Sequence, residues 1–167
     1  MLISTKGRYA LQFMIYVARA DAIGPVAVRS VGEMAGISVK YLEQLAHALA
    51  KKGLLTSVRG KGGGYRLARP ASQISAGDIL RSVEKSTSAV ACTELDGGTC
   101  PREAICSTVD FWAGLDDVID AYVDGVMLDE LAFPQGQSPW HGWLHDASAS
   151  MEGGKKEAIA MGDGVEA

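Results

Sequence analysis

Three cysteines, Cys92, Cys100 and Cys106, fall inside a fifteen-residue window, with seven and then five residues between them. Thiolates in that number and proximity are soft ligands for an iron-sulfur cluster or zinc, or a redox-active thiol set, and three of them leave one coordination position to fill. An odd, clustered trio suits a disulfide scaffold poorly, so a reducing cytoplasm is the expected compartment. A second chemistry lies upstream. Lys40, Tyr41, Glu43, Gln44, His47 and Lys51 lie off the leucine stripe of one helical segment. Glutamine can pair with adenine, lysine with guanine or phosphate, and glutamate can accept from a cytosine amine, so such a face suits direct reading of a major groove. The segment Ser57 to Arg66 places Arg59, Lys61 and Arg66 around a run of glycines. Glycines there let the backbone approach a sugar-phosphate wall while Arg59 enters a minor groove.

Positioning these groups requires particular elements. A first helix is predicted from Thr5 to Ala20, burying Leu11, Met14, Ile15 and Ala18 at i, i+3, i+4, i+7 spacing, and Gly24-Pro25 breaks it. Ser30 with Glu33 matches a capping box, predicting a short helix over Val31 to Ala35 that ends at Gly36. Ser38 is the expected cap of the next helix, whose Leu42, Leu45 and Leu49 face inward until Gly53. Leu54 to Arg59 and Tyr65 to Ala68 read as strands joined by a flexible tip at Gly60-Lys61-Gly62-Gly63-Gly64. Helix, tight turn, helix and hairpin make a winged helix. Ser75-Ala76-Gly77-Asp78 opens another helix carrying Ile79, Leu80 and Val83, and a loop of small and polar residues then holds the cysteines.

One long helix is predicted over Thr108 to Leu131, with Val109, Trp112, Leu115, Ile119, Tyr122, Val126 and Leu131 as its apolar stripe. Such a stripe on a small domain must be buried against something, and a second copy of the chain is the simplest partner. The expected fold is mainly α with a small β wing, a winged helix-turn-helix with a long C-terminal dimerisation helix. Its expected organisation is a DNA-binding domain over 1–85, a cysteine loop over 86–107, a dimerisation helix over 108–133 and a mostly disordered tail over 134–167. His141 and His145 with Trp140 and Trp143 in that tail read as chance or a weak packing patch.

Charge supports this division. The chain of 167 residues carries a net charge of −4, with 47% hydrophobic and 22% charged residues, a globular composition. Residues 1–85 hold 13 lysines and arginines against 5 acidic residues, a net of +8, and the remainder holds 3 against 15, a net of −12. Asymmetry of that kind points to a nucleic-acid partner for the basic half. Gln12, Arg19 and Arg29 interrupt the greasiest stretch, so neither a membrane span nor a secretory leader is expected, although Ala18-Arg19-Ala20 imitates a leader-cleavage site. No serine-histidine-aspartate set, zincin motif or nucleophile elbow appears, and an enzyme is not expected.

Three ordered motifs carry a resemblance. Ser4 to Ala10, Ile37 to Leu45, and Val58 to Tyr65 together resemble the Rrf family of winged-helix transcription regulators, and within it the iron-sulfur branch, over about residues 1 to 132. The resemblance implies a homodimer on a partly palindromic operator in double-stranded DNA, acting as a repressor whose affinity responds to iron-sulfur status, oxidants or nitric oxide. By motif position it places Ser38, Lys40, Tyr41, Glu43 and Gln44 on the recognition helix and Arg59, Gly60 and Lys61 on the wing. It makes Cys92, Cys100 and Cys106 the ligands of the cluster. Two departures stand. That branch has five residues between the first two cysteines where this chain has seven, and its histidine ligand three residues after the last cysteine is replaced by Val109, which cannot coordinate. The fourth ligand is left open among Asp110, Ser107, a residue elsewhere in the dimer and an exogenous molecule. Cluster type is open between 2Fe-2S, the first expectation, and 4Fe-4S. The alternative is a cluster-free winged-helix regulator using the cysteines as a zinc site or thiol redox switch. A winged helix that docks a protein instead of DNA is the third reading.

Overall fold

The computed structural model describes residues 3–89 and 105–134. Its first helix, α1 (Thr5–Ala20), is capped by the Ser4 hydroxyl, which accepts from the Lys6 amide at 3.0 Å. The helix buries Gly7, Ala10, Phe13, Met14, Val17 and Ala18. Leu11 and Ile15, expected inward, are half-buried. Two overlapping stripes satisfy the helical period here, and the one in contact is that with the largest ring, Phe13, and the small Gly7 and Ala10 that admit close neighbours.

Next comes α2 (Val28–Ala35), three residues earlier than its predicted start, with Ala27 at the cap and no side-chain capping bond. Ser30 is inside the helix, so the Ser30/Glu33 capping box does not form. The cause is tertiary: Val26 exchanges two backbone hydrogen bonds with Tyr65, at 2.8 and 2.9 Å. Chain pinned to a strand at Val26 becomes helical as soon as it leaves it. After Gly36, in the left-handed region, α3 (Val39–Lys51) buries Leu42, Leu45, Ala46 and Leu49. Ser38 holds the cap position with its carbonyl accepting from Tyr41 and Leu42, and its side chain makes no capping bond.

Strands β1 (Leu55–Val58) and β2 (Gly64–Leu67) pair antiparallel, from Leu55 opposite Leu67 to Val58 opposite Gly64. Gly60, with φ of 103°, takes a backbone conformation at the tip that other residues adopt only under strain. Gly64 is demanded by space. A β-carbon there would lie against the Val26 carbonyl and 2.8 Å from the Ala27 nitrogen, both main chain. Gly64→Ala is therefore expected to cost about 1–3 kcal/mol or more, read as a lowered urea midpoint, because neither neighbour can rotate away.

A short 3-10 turn at Ala71–Gln73 leads into α4 (Ala76–Val83), whose predicted start is realised as a capping box. The Ser75 hydroxyl accepts from the Asp78 amide at 3.0 Å and the Asp78 carboxylate from the Ser75 amide at 3.3 Å. The predicted single C-terminal helix is two: α5 (Val109–Gly125) and α6 (Leu128–Ala132). Between them Met127 bridges to Ser75, the Ala76 amide donates to the Val126 carbonyl and the Leu128 amide to the Ile74 carbonyl, each at 2.8 Å. Periodicity alone runs through this break, because Val126 is buried in the extended turn as it would be on a helical stripe. The core gathers α1, α3, α4 and α6, with Phe13, Met14, Leu42, Leu49, Ile74, Ile79 and Leu128 fully buried. By contrast α5 buries Val123 only, and leaves Phe111, Val118 and Tyr122 exposed. Most of the cysteine loop and the tail beyond Pro134 lie outside the described residues.

Candidate nucleic-acid interface

Amphipathic periodicity decides what α3 presents. Its leucines enter the core, and Ser38, Lys40, Glu43, Gln44, His47 and Lys51 are exposed on the rest of its surface. At 1.5 Å per residue, the helix is about 20 Å long, which suits a groove about 12 Å wide. Tyr41 differs from its neighbours. It is half-buried, its ring edge-on to Tyr9 of α1 at a centroid distance of 6.0 Å. This predicted contact residue is thus also a brace between α1 and α3.

The hairpin follows α3 after one tight turn, where the Leu54 amide donates to the Leu49 carbonyl at 3.0 Å and the Ala68 amide to the Leu54 carbonyl at 3.1 Å. Arg59, Gly60 and Lys61 lie exposed at its tip, and the Gly63 amide closes the turn onto the Gly60 carbonyl at 2.9 Å. Arg66, the third cation of the segment, is committed elsewhere: it donates to the Asp21 carbonyl at 2.9 Å and pairs with the Asp21 carboxylate at 3.6 Å. Lys40, Arg59 and Lys61 form no ion pair with any described residue. Their charge is therefore available to an anionic partner.

Of the thiols, Cys106 lies within the described residues and Cys92 and Cys100 outside them. Cys106 is half-buried just before α5, its sulfur 3.5 Å from the Thr108 hydroxyl. Val109 is the first residue of α5, and Ser107 and Asp110 beside it are exposed. The donor chemistry of three thiols fits an iron-sulfur cluster or zinc, with the histidine position filled by an aliphatic side chain.

Sequence reasoning passed over Glu84. One of its carboxylate oxygens accepts from the Ser4 amide at 3.0 Å, the Ser4 hydroxyl at 2.7 Å and the Gly7 amide at 3.0 Å, clasping the first turn of α1 to the end of α4. A partner eighty residues away leaves no trace in local pattern.

The family model named Rrf2, described as an iron-dependent transcriptional regulator, matches residues 3–134. The chain belongs to the Rrf2 family. The HTH-type transcriptional regulator IscR of Escherichia coli K12 is 40% identical over 131 residues, covering 78% of this chain and 80% of the relative. Among solved structures, CymR, the global cysteine regulator of B. subtilis, is 36% identical with a TM-score of 0.65, covering 79% of this chain and 96% of that one. T. potens IscR is 32% identical with a TM-score of 0.64, covering 84% and 96%. This Rrf2 protein is accordingly a winged-helix transcriptional regulator and not an enzyme. No helix among its described residues is long and apolar enough to cross a membrane.

Proposed function

We propose that this chain is a homodimeric repressor that binds a partly palindromic operator through α3 and the wing, with its affinity set by an iron-sulfur cluster. The observation that carries the DNA side is the exposed α3 face beside wing cations that no described carboxylate neutralises. Gln44 and Lys40 read bases, Glu43 selects against wrong ones, and Arg59 and Lys61 hold the backbone with Gly60 allowing close approach. Dimerisation would cover the exposed Phe111, Val118 and Tyr122 of α5.

Cys92, Cys100 and Cys106 would hold the cluster, in support of which stand the thiol spacing, the iron dependence named for the family and the resemblance to IscR. A bound cluster supplies iron that reacts with oxidants and nitric oxide and crosslinks the loop that carries the thiols. The chain's own part is to convert loop order into operator affinity. The loop departs beyond Glu84, which is bonded to the first turn of α1, and returns at Cys106 before α5; α1 and α4 both pack on α3, and α5 reaches it through α4. A coupling of about 1–3 kcal/mol would change affinity about 5- to 150-fold. Val109 in place of a ligand, and the similarity to a cysteine regulator, favour the second reading of a zinc site or thiol switch.

Anaerobic purification separates the two. Brown protein with stoichiometric iron and acid-labile sulfide, whose operator affinity changes when the iron is removed, is expected. Colourless protein, with zinc or with no metal, would overturn the cluster. In either case Gln44→Ala is expected to lose about 1–3 kcal/mol on the native operator, with the loss confined to particular base pairs in a mutated-site series. A uniform loss at all positions would remove Gln44 from base reading.

A further inference from the structure

The apolar residues of α5 share their helix with a second pattern, Asp116, Asp120 and Asp124, spaced by four. Asp116 precedes Val118 and Asp120 precedes Tyr122 by two residues, about 200° of helical rotation, and Asp124 lies one turn further on, so the acidic row lies nearly opposite Val118 and Tyr122. All three carboxylates are engaged by the winged domain or the loop root. Arg81 of α4 pairs with Asp120 at 3.4 Å and, more closely, with Asp124. The Ser75 hydroxyl donates to Asp124 at 3.5 Å, and the Ala89 amide to Asp116 at 2.5 Å. Gly77 makes room for this, since a β-carbon there would press on the Asp124 carboxylate and come within 2.6 Å of the Arg81 guanidinium.

The mechanics follow from where α5 is held. Its C-terminal end is held at the turn, where Ser75 bridges Met127 and the Ala76 amide bonds the Val126 carbonyl, and beyond the turn its packing is on α4. An attachment at one end acts as a pivot, and among its own residues α5 buries only Val123. The helix, 17 residues long, is about 25 Å from pivot to free end, so a swing of roughly 10° moves that end by about 4 Å. That is about the 3.4 Å rise of one base pair. A guanidinium forked between two carboxylates a turn apart, with the Ala89 amide on Asp116 further along, ties the side of the helix and so defines its direction.

We propose that Arg81, through Asp120 and Asp124, is a positioning residue that sets the angle between the dimer arm and the winged domain, and thereby the half-site spacing of the operator. The inference rests on the DNA-binding dimer proposed above. Because these pairs are about half exposed, they add little to stability, and their effect is on direction.

Selection of binding sites from a randomised duplex library by the full chain tests it. Wild type should enrich one half-site motif at one centre-to-centre spacing, preferred over spacings one base pair longer or shorter by about tenfold. Arg81→Met should enrich the same half-site motif over several spacings, with that preference reduced to about twofold. Asp120→Asn, which leaves the Asp124 pair in place, should broaden the distribution less and decides the matter if Arg81→Met does not fold. A single unchanged spacing in the folded variants, or loss of the half-site motif itself, would overturn the role given to Arg81. A wild-type chain that enriches no motif would instead overturn the DNA-binding reading, and this inference with it.

Discussion

Truncating Phe13 to alanine should lower the unfolding free energy by about 3–5 kcal/mol. At the low end of the usual domain stability of about 5–15 kcal/mol, that would leave a substantial fraction unfolded. Phe13 is the largest fully buried side chain among the described residues. Its ring stands edge-on to Tyr65 of β2 at a centroid distance of 6.4 Å, so it joins α1 to the strand that also holds Val26. The helix carrying it packs on α3, α4, α6 and β2, which leaves no loose element to collapse into the space. Urea denaturation should show a lower midpoint at an unchanged slope. A loss under about 1 kcal/mol would mean that the surroundings refill the cavity and that the core does not centre on α1.

What was legible in the sequence depends on whether a signal was local. Ser75 with Asp78 and Ser30 with Glu33 are equally good capping patterns on paper, and only the first forms. Ser75 is free to cap because the main chain around it is extended, whereas Val26 is bonded to Tyr65 and starts α2 before Ser30 is reached. The same limit explains α5. Apolar spacing through Val126 and Leu131 continues a helix, and the bridge that ends it comes from Ser75, fifty residues earlier in the chain. On α1 the predicted face is half right: Met14 and Ala18 are buried, whereas Leu11 and Ile15 pack at its edge because they are as apolar as Phe13 and Val17 and packing against other elements chooses between them.

The candidate site divides along the same line. The exposed row on α3 and the cations of the tip follow from period and from glycine content, and the structure places them where those patterns put them. Two assignments needed tertiary contacts to read correctly: Tyr41 is braced by Tyr9, and Arg66 is occupied by Asp21. Asp116, Asp120 and Asp124 of α5, whose partners no local pattern reveals, are bonded to Ala89, Arg81 and Ser75. Short-range pattern thus locates the exposed α3 face and the cations of the tip, and tertiary contacts decide which neighbouring side chains are already engaged.

Removing both wing cations should have the largest effect on binding. If Arg59 and Lys61 each neutralise one phosphate, a dimer places four such contacts, and each contributes about 0.9 to the slope of log affinity against log salt. The double variant Arg59→Ala, Lys61→Ala should therefore flatten that slope by about 3.6, so that between 50 and 200 mM salt it loses about 150-fold less affinity than wild type does. The absolute loss should be greatest at low salt and fall alike on specific and unrelated duplexes, since phosphates carry no sequence information. Arg66→Ala, by contrast, should leave the slope where it is, because its guanidinium already faces Asp21. Filter-binding titrations across four salt concentrations measure all three. Parallel lines for wild type and the double variant would show that the tip does not touch the backbone, and would leave α3 alone as the binding element. A flattened line for Arg66→Ala would show instead that its pairing with Asp21 opens when DNA arrives, making the base of the wing part of the interface.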